Sequence, residues 1–212
     1  MNAIINFFQE GGAFMYPIAV VMAIGFAIAI ERLLYIAKEK SSNRQAFNEL
    51  LPILKKRDFR GALNYASASD SKLGQIFASA IARMPTSQSR EDLEFAMEEG
   101  LMEAIPQLEK RTQYVAMLAN IATLLGLLGT IMGLIAAFAA VANAAPAEKA
   151  ALLSQSISVA MNTTAFGLMA AIPLILIHSY IQSKTNDIVD SLEMAGVKFL
   201  NIVTERKPTA SN

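Results

Sequence analysis

Three stretches of this sequence carry no Asp, Glu, Lys or Arg: Gly11 to Ile30, Thr112 to Ala147 and Ala150 to Ser183. A helix needs about 20 consecutive apolar residues to cross a hydrocarbon core, and each stretch meets that length. The chain is therefore expected to be an all-α integral membrane protein with three transmembrane helices. The second and third stretches hold 36 and 34 residues. As helix they extend roughly 50 Å at 1.5 Å per residue, against a hydrocarbon core of about 30 Å, so they must tilt or project from the bilayer.

Lys and Arg set the orientation. None falls in residues 1–31, thirteen fall from Arg32 to Arg111, one is Lys149, and four follow Ser183. By the positive-inside rule the N-terminus is periplasmic, the Arg32–Arg111 segment is cytoplasmic, and the C-terminus is cytoplasmic. The expected order is an outer-face amphipathic segment at 1–10, transmembrane helix 1 at 11–37 and a cytoplasmic helical domain at 38–111. Transmembrane helix 2 at 112–143, a periplasmic loop at 144–153, transmembrane helix 3 at 154–183, and a cytoplasmic C-terminal helix and tail at 184–212 complete it. Residues 1–10 lack the basic start and small-residue cleavage site of a removed signal peptide. Their Ile4, Ile5, Phe7 and Phe8 instead suit a turn lying on the membrane surface.

The segment between the first two spans is patterned as helices. Phe47, Leu50, Leu51 and Leu54 share a face over Arg44–Lys56, as do Phe59, Ala62, Leu63 and Ala66 in the next run, and two short packed helices are expected. A third runs from Lys72 to Met84. Ser89 and Asp92 have the spacing of a capping box that opens a fourth, whose Glu91–Glu109 stretch carries seven carboxylates. These form either a solvated face or the acidic lining of a vestibule that concentrates cations. Pro106 is expected to bend this helix before the membrane. Beyond the third span, Ile188, Leu192, Ala195, Phe199 and Ile202 continue a helical stripe, and the tail KPTASN is expected to fray.

Polar residues inside the spans mark the candidate site. In span two, Asn120, Thr123, Gly126, Thr130 and Gly133 follow one helix face, and Gly129 with Gly133 forms a GxxxG pair of the kind that lets helices approach closely in lipid. Threonines that bond their own i−4 carbonyls explain this face without a further function. Span three adds Ser154, Gln155, Ser156, Ser158, Asn162, Thr163 and Thr164, followed by the small residues Gly167, Ala170 and Ala171 up to Pro173. An Asn amide has more donors and acceptors than a helix satisfies, so Asn162 should face protein or water. Thr163 and Thr164 lie about 100° apart around the helix and cannot both point straight into one lumen. Spans two and three hold no Asp, Glu, Lys or Arg, and no role is assigned to His178. An ion-motive protein usually carries an intramembrane carboxylate, so another chain would have to supply it.

No Walker A loop, nucleophile elbow or metal-ligand spacing is present, and no enzymatic activity is expected. With no cysteine and one histidine, neither disulfides nor a Cys/His metal site is available. No basic patch with interleaved aromatics points to nucleic acid, and no cofactor is expected.

IERLLYI (Ile30–Ile36), LLGLLGTIMGLI (Leu124–Ile135) and TAFGLMAAIP (Thr164–Pro173) give the chain a resemblance to the ExbB/TolQ/MotA proton-channel family, nearest its three-span ExbB/TolQ branch. The resemblance implies a homopentameric ring in the bacterial inner membrane. The ring would surround a dimer of a single-span ExbD/TolR-like protein with a membrane Asp, and would deliver work to a TonB- or TolA-like effector. It also implies an H+ path whose pore threonines match Thr130 and Thr164; the polar pattern of span three adds Thr163 and Asn162 to the expected ion pathway, and Gly126, Gly129, Gly133, Gly167, Ala171 and Pro173 are expected in helix packing or pore lining. Many relatives carry a glutamate before the span-three threonine where this chain has Val159. Neutral oxygens at Thr130, Thr163 and Thr164 leave Na+ as the alternative ion. A non-conducting scaffold and a self-sufficient channel are the competing readings.

Overall fold

The structure is a computed structural model and describes residues 11–87, 89–142 and 144–204. The expectations for residues 1–10 and for the tail KPTASN lie outside the described residues. Six helices are found among them: α1 (Met15–Lys55), α2 (Phe59–Ala68), α3 (Lys72–Arg83), α4 (Arg90–Glu109), α5 (Thr112–Ala142) and α6 (Lys149–Thr204). Three stretches, in α1, in α4–α5 and in α6, are long and apolar enough to cross a membrane. The protein is thus an all-helical membrane protein. Its contacts divide it into two compact units, with boundaries at Arg32/Leu33, Lys110/Arg111 and Tyr180/Ile181.

The first unit holds residues 11–32 and 111–180. Its core is built from small side chains: Ala119 and Ala122 of α5 and Ala170 and Ala171 of α6 are buried with Ile18, Ala29, Val115 and Leu174. In lipid, apolar surface has no water to escape, and helices associate where small residues permit dense backbone contact. The buried positions on α5, Val115, Ala119, Ala122, Gly126 and Gly129, recur every three or four residues and so form one seam. Large apolar side chains such as Leu124, Leu127, Ile131 and Phe138 point away from it and are exposed. Only 17% of the most apolar α4–α5 window is buried within the chain, so lipid or other chains must cover the rest. At the start of α5 the Arg111 guanidinium lies 3.4 Å from the Glu31 carboxylate.

The second unit packs 33–110 with 181–204. Its core contains Leu50 and Leu54 of α1, Ile76 and Phe77 of α3, Leu93 and Met97 of α4, and Leu192 and Phe199 of α6. The Phe77 and Phe199 rings stand 4.9 Å apart, inclined by 33°, within the range where aromatic pairs add to simple burial. Each short helix starts on a cap. Asp58 accepts from Gly61 N at 2.9 Å and Ser71 accepts from Gly74 N at 3.0 Å. Ser89 and Asp92 form the reciprocal capping box that their spacing predicts. Arg90, the first residue of α4, donates to Asn201 Oδ1 at 3.1 Å and to Thr204 Oγ1 at 3.4 Å. On α6, a hydrogen bond from Lys184 and its charge, with a further contribution from Lys40, hold the exposed Asp187 carboxyl below the usual carboxylate range.

One expectation is corrected. Arg44–Lys56 is no separate helix: apart from Lys56 it is the last part of α1, which runs unbroken from Met15. Nothing between Ile30 and Leu51 is Gly or Pro, and Pro52 stands inside the helix without ending it. Pro106 likewise stands inside α4. The chain leaves the helix at Lys110, which is extended at ψ 133, and Arg111, which takes φ 64. The Ile188–Phe199 stripe is carried by α6, a continuous helix through Thr204.

Candidate functional site

Glycine brings α5 and α6 into backbone contact in the first unit. A Cβ on Gly167 would sit 2.8 Å from the Ala122 carbonyl oxygen and 3.0 Å from Gly126 Cα, and one on Gly133 would sit 2.9 Å from Ala160 Cβ. A Cβ on Gly129 would collide with the Thr163 side chain. Only residues without a side chain permit this approach. It places hydroxyls and carbonyls of both helices within reach of one another.

Thr130 and Thr164 meet at this crossing, hydroxyl to hydroxyl. Thr164 donates across the seam to the Gly126 carbonyl at 3.0 Å, and Thr130 reaches the same carbonyl at 3.2 Å and that of Ala160 at 3.4 Å. Four neutral oxygens therefore lie together between two charge-free helices, with both threonines half-buried. Two hydroxyls bring two protons to this group and more acceptor sites than those protons can fill. The arrangement can accept a proton-bearing carboxyl or a hard cation, and it lacks an acid of its own. Among the described residues no cluster of His, Cys, Asp or Glu could hold a metal ion.

Thr163 turns elsewhere. Its side chain is buried, and its hydroxyl lies 2.6 Å from the Gly11 carbonyl and 2.9 Å from its own i−4 carbonyl, Val159 O. Val159 packs on the same turn, where a Cβ on Gly12 (φ 74) would sit 3.2 Å from its Cγ1. Thr163 thus ties α6 to the turn that precedes α1. Asn162 is half-buried. Ala171 belongs to the core of the first unit, and Pro173 lies within α6, half-buried. On α5, Thr123 bonds its i−4 carbonyl, Ala119 O, at 3.2 Å, the pattern expected of a packing threonine. Asn120 is exposed.

Two participants escaped the sequence reading. Ala160 offers its carbonyl to Thr130 and its methyl to Gly133. It stands one turn before Thr164, and that spacing was its only signal. The Gly11 carbonyl, distant in sequence, was signalled only by the Gly11–Gly12 pair ahead of the first span.

A family model for the MotA/TolQ/ExbB proton channel family matches residues 68–194, more than half of the chain. A protein of Methanothermobacter thermautotrophicus named as an ExbB homolog in biopolymer transport is 28% identical over 195 residues, 91% of this chain and 68% of its own length. Among solved structures, that of C. jejuni MotAB has a similar fold, with a TM-score of 0.60 at 16% identity, covering 90% of this chain and 76% of that one. The chain belongs to the MotA/TolQ/ExbB proton channel family.

Proposed function

We propose that the chain is the ring subunit of an ion-driven motor in the inner membrane, with its N-terminus periplasmic and its C-terminus cytoplasmic. Five copies surround a dimer of a single-span ExbD/TolR-like protein, whose membrane Asp is received by the oxygens around Thr130 and Thr164. Protons pass by way of that carboxyl, and the resulting motion is delivered to a TonB- or TolA-like effector. The observation that carries this reading is the Thr130–Thr164 contact over the Gly126 carbonyl. It is a polar group with no charge of its own inside two apolar helices. Hydroxyls there stabilise a neutral carboxyl and, after it loses its proton, donate to the anion.

In this reading the polar residues divide by role. Thr130 and Thr164 line the path, Asn162 flanks it, and Thr163 holds α6 to the Gly11 turn. Gly126, Gly129, Gly133 and Gly167 keep the helices close enough for the two hydroxyls to meet. The four-oxygen group also favours a second reading, sodium coupling, because hard cations are held by such neutral oxygens.

In cells co-expressing a one-span partner with a membrane Asp, Thr130→Ala and Thr164→Ala are each expected to abolish motor output while leaving the complex assembled. Unchanged output removes both residues from the path. Output should follow the proton gradient, and its loss on removing sodium at constant proton-motive force would establish the sodium reading instead.

A further inference from the structure

The second unit carries two surfaces that its own packing leaves open. One is a groove of about 440 Å³ between the later parts of α1 and α6, lined by Lys40, Asn43, Arg44, Phe47, Met194 and Lys198 among others. Its walls are amphipathic. Lys198 Nζ lies 5.3 Å from the centre of the Phe47 ring, and Met194 is 58% exposed. Asp187, one of two carboxylates in the lining, is already paired with Lys184 at 2.9 Å, which leaves the groove with an excess of positive charge. At its edge the Asn43 side chain, only 4% exposed, gives its oxygen to Leu73 N at 2.9 Å, whereas its Nδ2 is buried without an acceptor.

The other surface is the outer face of α4, where Glu91, Phe95, Glu98 and Met102 recur at i, i+4, i+7 and i+11. Phe95 is 65% and Met102 72% exposed. Glu99 is bridged to Arg83 at 2.7 Å, but Glu91 and Glu98 carry no ion pair within the 4.0 Å range among the described residues. The ridge is acidic and apolar, and the groove is basic and apolar. Their lengths agree as well: Asp187, Ser191, Met194 and Lys198 follow the same i, i+4, i+7, i+11 course along α6, about 16 Å at 1.5 Å per residue.

We propose that the α4 ridge of one copy docks into the α1–α6 groove of the next. Two different surfaces on each copy make a heterologous contact that closes only as a ring, so the inference rests on the ring proposed above and names the faces that build it. If the ring axis runs along the helices, each residue keeps its height from copy to copy. The bonds from Arg90 to Asn201 and Thr204 set α4 and α6 level with one another. Eight residues along α4, Glu98 then stands level with Met194 of the next copy, and Met102 with Ser191. On the α1 wall, Phe47 is level with Lys198, which places Arg44 near the height of Met194. Glu98 thereby meets Arg44, and Phe95 meets the Phe47–Lys198 pair.

The chain has no cysteine, so introduced thiols have no background from it. Two differently tagged copies, one with Met102→Cys and the other with Ser191→Cys, are co-expressed and mildly oxidised in membranes. A disulfide dimer containing both tags is expected, and none from either variant alone. Glu98→Arg in the first copy should lower its yield about tenfold, as for a mismatched rim charge, and Arg44→Glu in the second should restore it. If the tagged copies co-purify as an oligomer but do not cross-link, the proposed contact is wrong and the ring stands. If the copies do not co-purify, the ring reading falls and the contact with it. Cross-linking of Ser191→Cys to a different protein, or of Met102→Cys copies to one another, would also overturn the proposed contact.

Discussion

At Gly167 an added methyl group would meet the Ala122 carbonyl and Gly126 Cα, both backbone atoms, so neither side of the contact can yield by a rotamer change. Gly167→Ala is expected to destabilise the first unit by about 1–3 kcal/mol, the usual cost of overpacking, and to part Thr130 from Thr164. Unfolding in detergent monitored by circular dichroism measures the first effect. The neighbouring threonines should separate stability from function. Thr163→Val withdraws the side-chain donor to the Gly11 carbonyl and should cost about 1–3 kcal/mol for the acceptor left behind. With Thr164→Val, the Gly126 carbonyl still has Thr130 as a partner; stability should change by less than about 1 kcal/mol while motor output is lost. Equal destabilisation by both variants would contradict the division of roles. Sequence alone marked this neighbourhood, because hydroxyls stand out in a charge-free stretch and adjacent residues cannot share one direction. It could not assign Thr163, whose partner lies 152 residues away.

The helices divide in a similar way between what periodicity announces and what only packing decides. Apolar windows of sufficient length located the three long elements, and the Ser89–Asp92 spacing located the start of α4, because both signals are local. The unbroken course of α1 was less legible. The polar run at 38–45 lacks an apolar face of its own in sequence, yet Asn43 is buried there because its oxygen serves the start of α3 at Leu73 N. The α4–α5 junction was legible as the start of the charge-free stretch at Thr112, where α5 begins. Pro106 removes one hydrogen bond but leaves the rest of α4 packed, with Ala104 and Leu108 buried on either side of it. The turn falls instead at Arg111, whose φ of 64 costs a residue with a side chain roughly 1–2 kcal/mol. Arg111→Gly relieves that strain and gives up an exposed contact with Glu31, which is worth about 0–1 kcal/mol. The variant is therefore expected to be as stable as the parent or up to about 1 kcal/mol more stable in the same unfolding measurement. A loss of more than 1 kcal/mol would mean that the Arg111 side chain holds the junction.

Taken as a whole, the chain supplies an apolar exterior and a neutral polar seam in its first unit, but no Asp, Glu, Lys or Arg along spans two and three. Transport of a proton through lipid requires a group that can bind and release it, and an uncompensated charge at the centre of the bilayer is costly. Hydroxyls with ordinary acidity cannot alternate between protonated and charged forms there, so the Thr130–Thr164 group can assist a carboxyl but not replace one. Purified and reconstituted alone, the chain is expected to leave the vesicle pH gradient intact when a potential is imposed. Reconstituted with a one-span partner bearing a membrane Asp, it should admit protons, and the Asp→Asn partner should return uptake to the level of the chain alone. Proton uptake by the chain alone would establish a self-sufficient channel. Failure with an intact, assembled partner would favour a non-conducting scaffold. The distinction depends on where the carboxylate resides: a channel complete within one chain needs its own titratable group in the seam, whereas a motor that moves one chain against another gains from dividing the hydroxyls and the acid between them, because binding and release of the ion then change the attraction between the two.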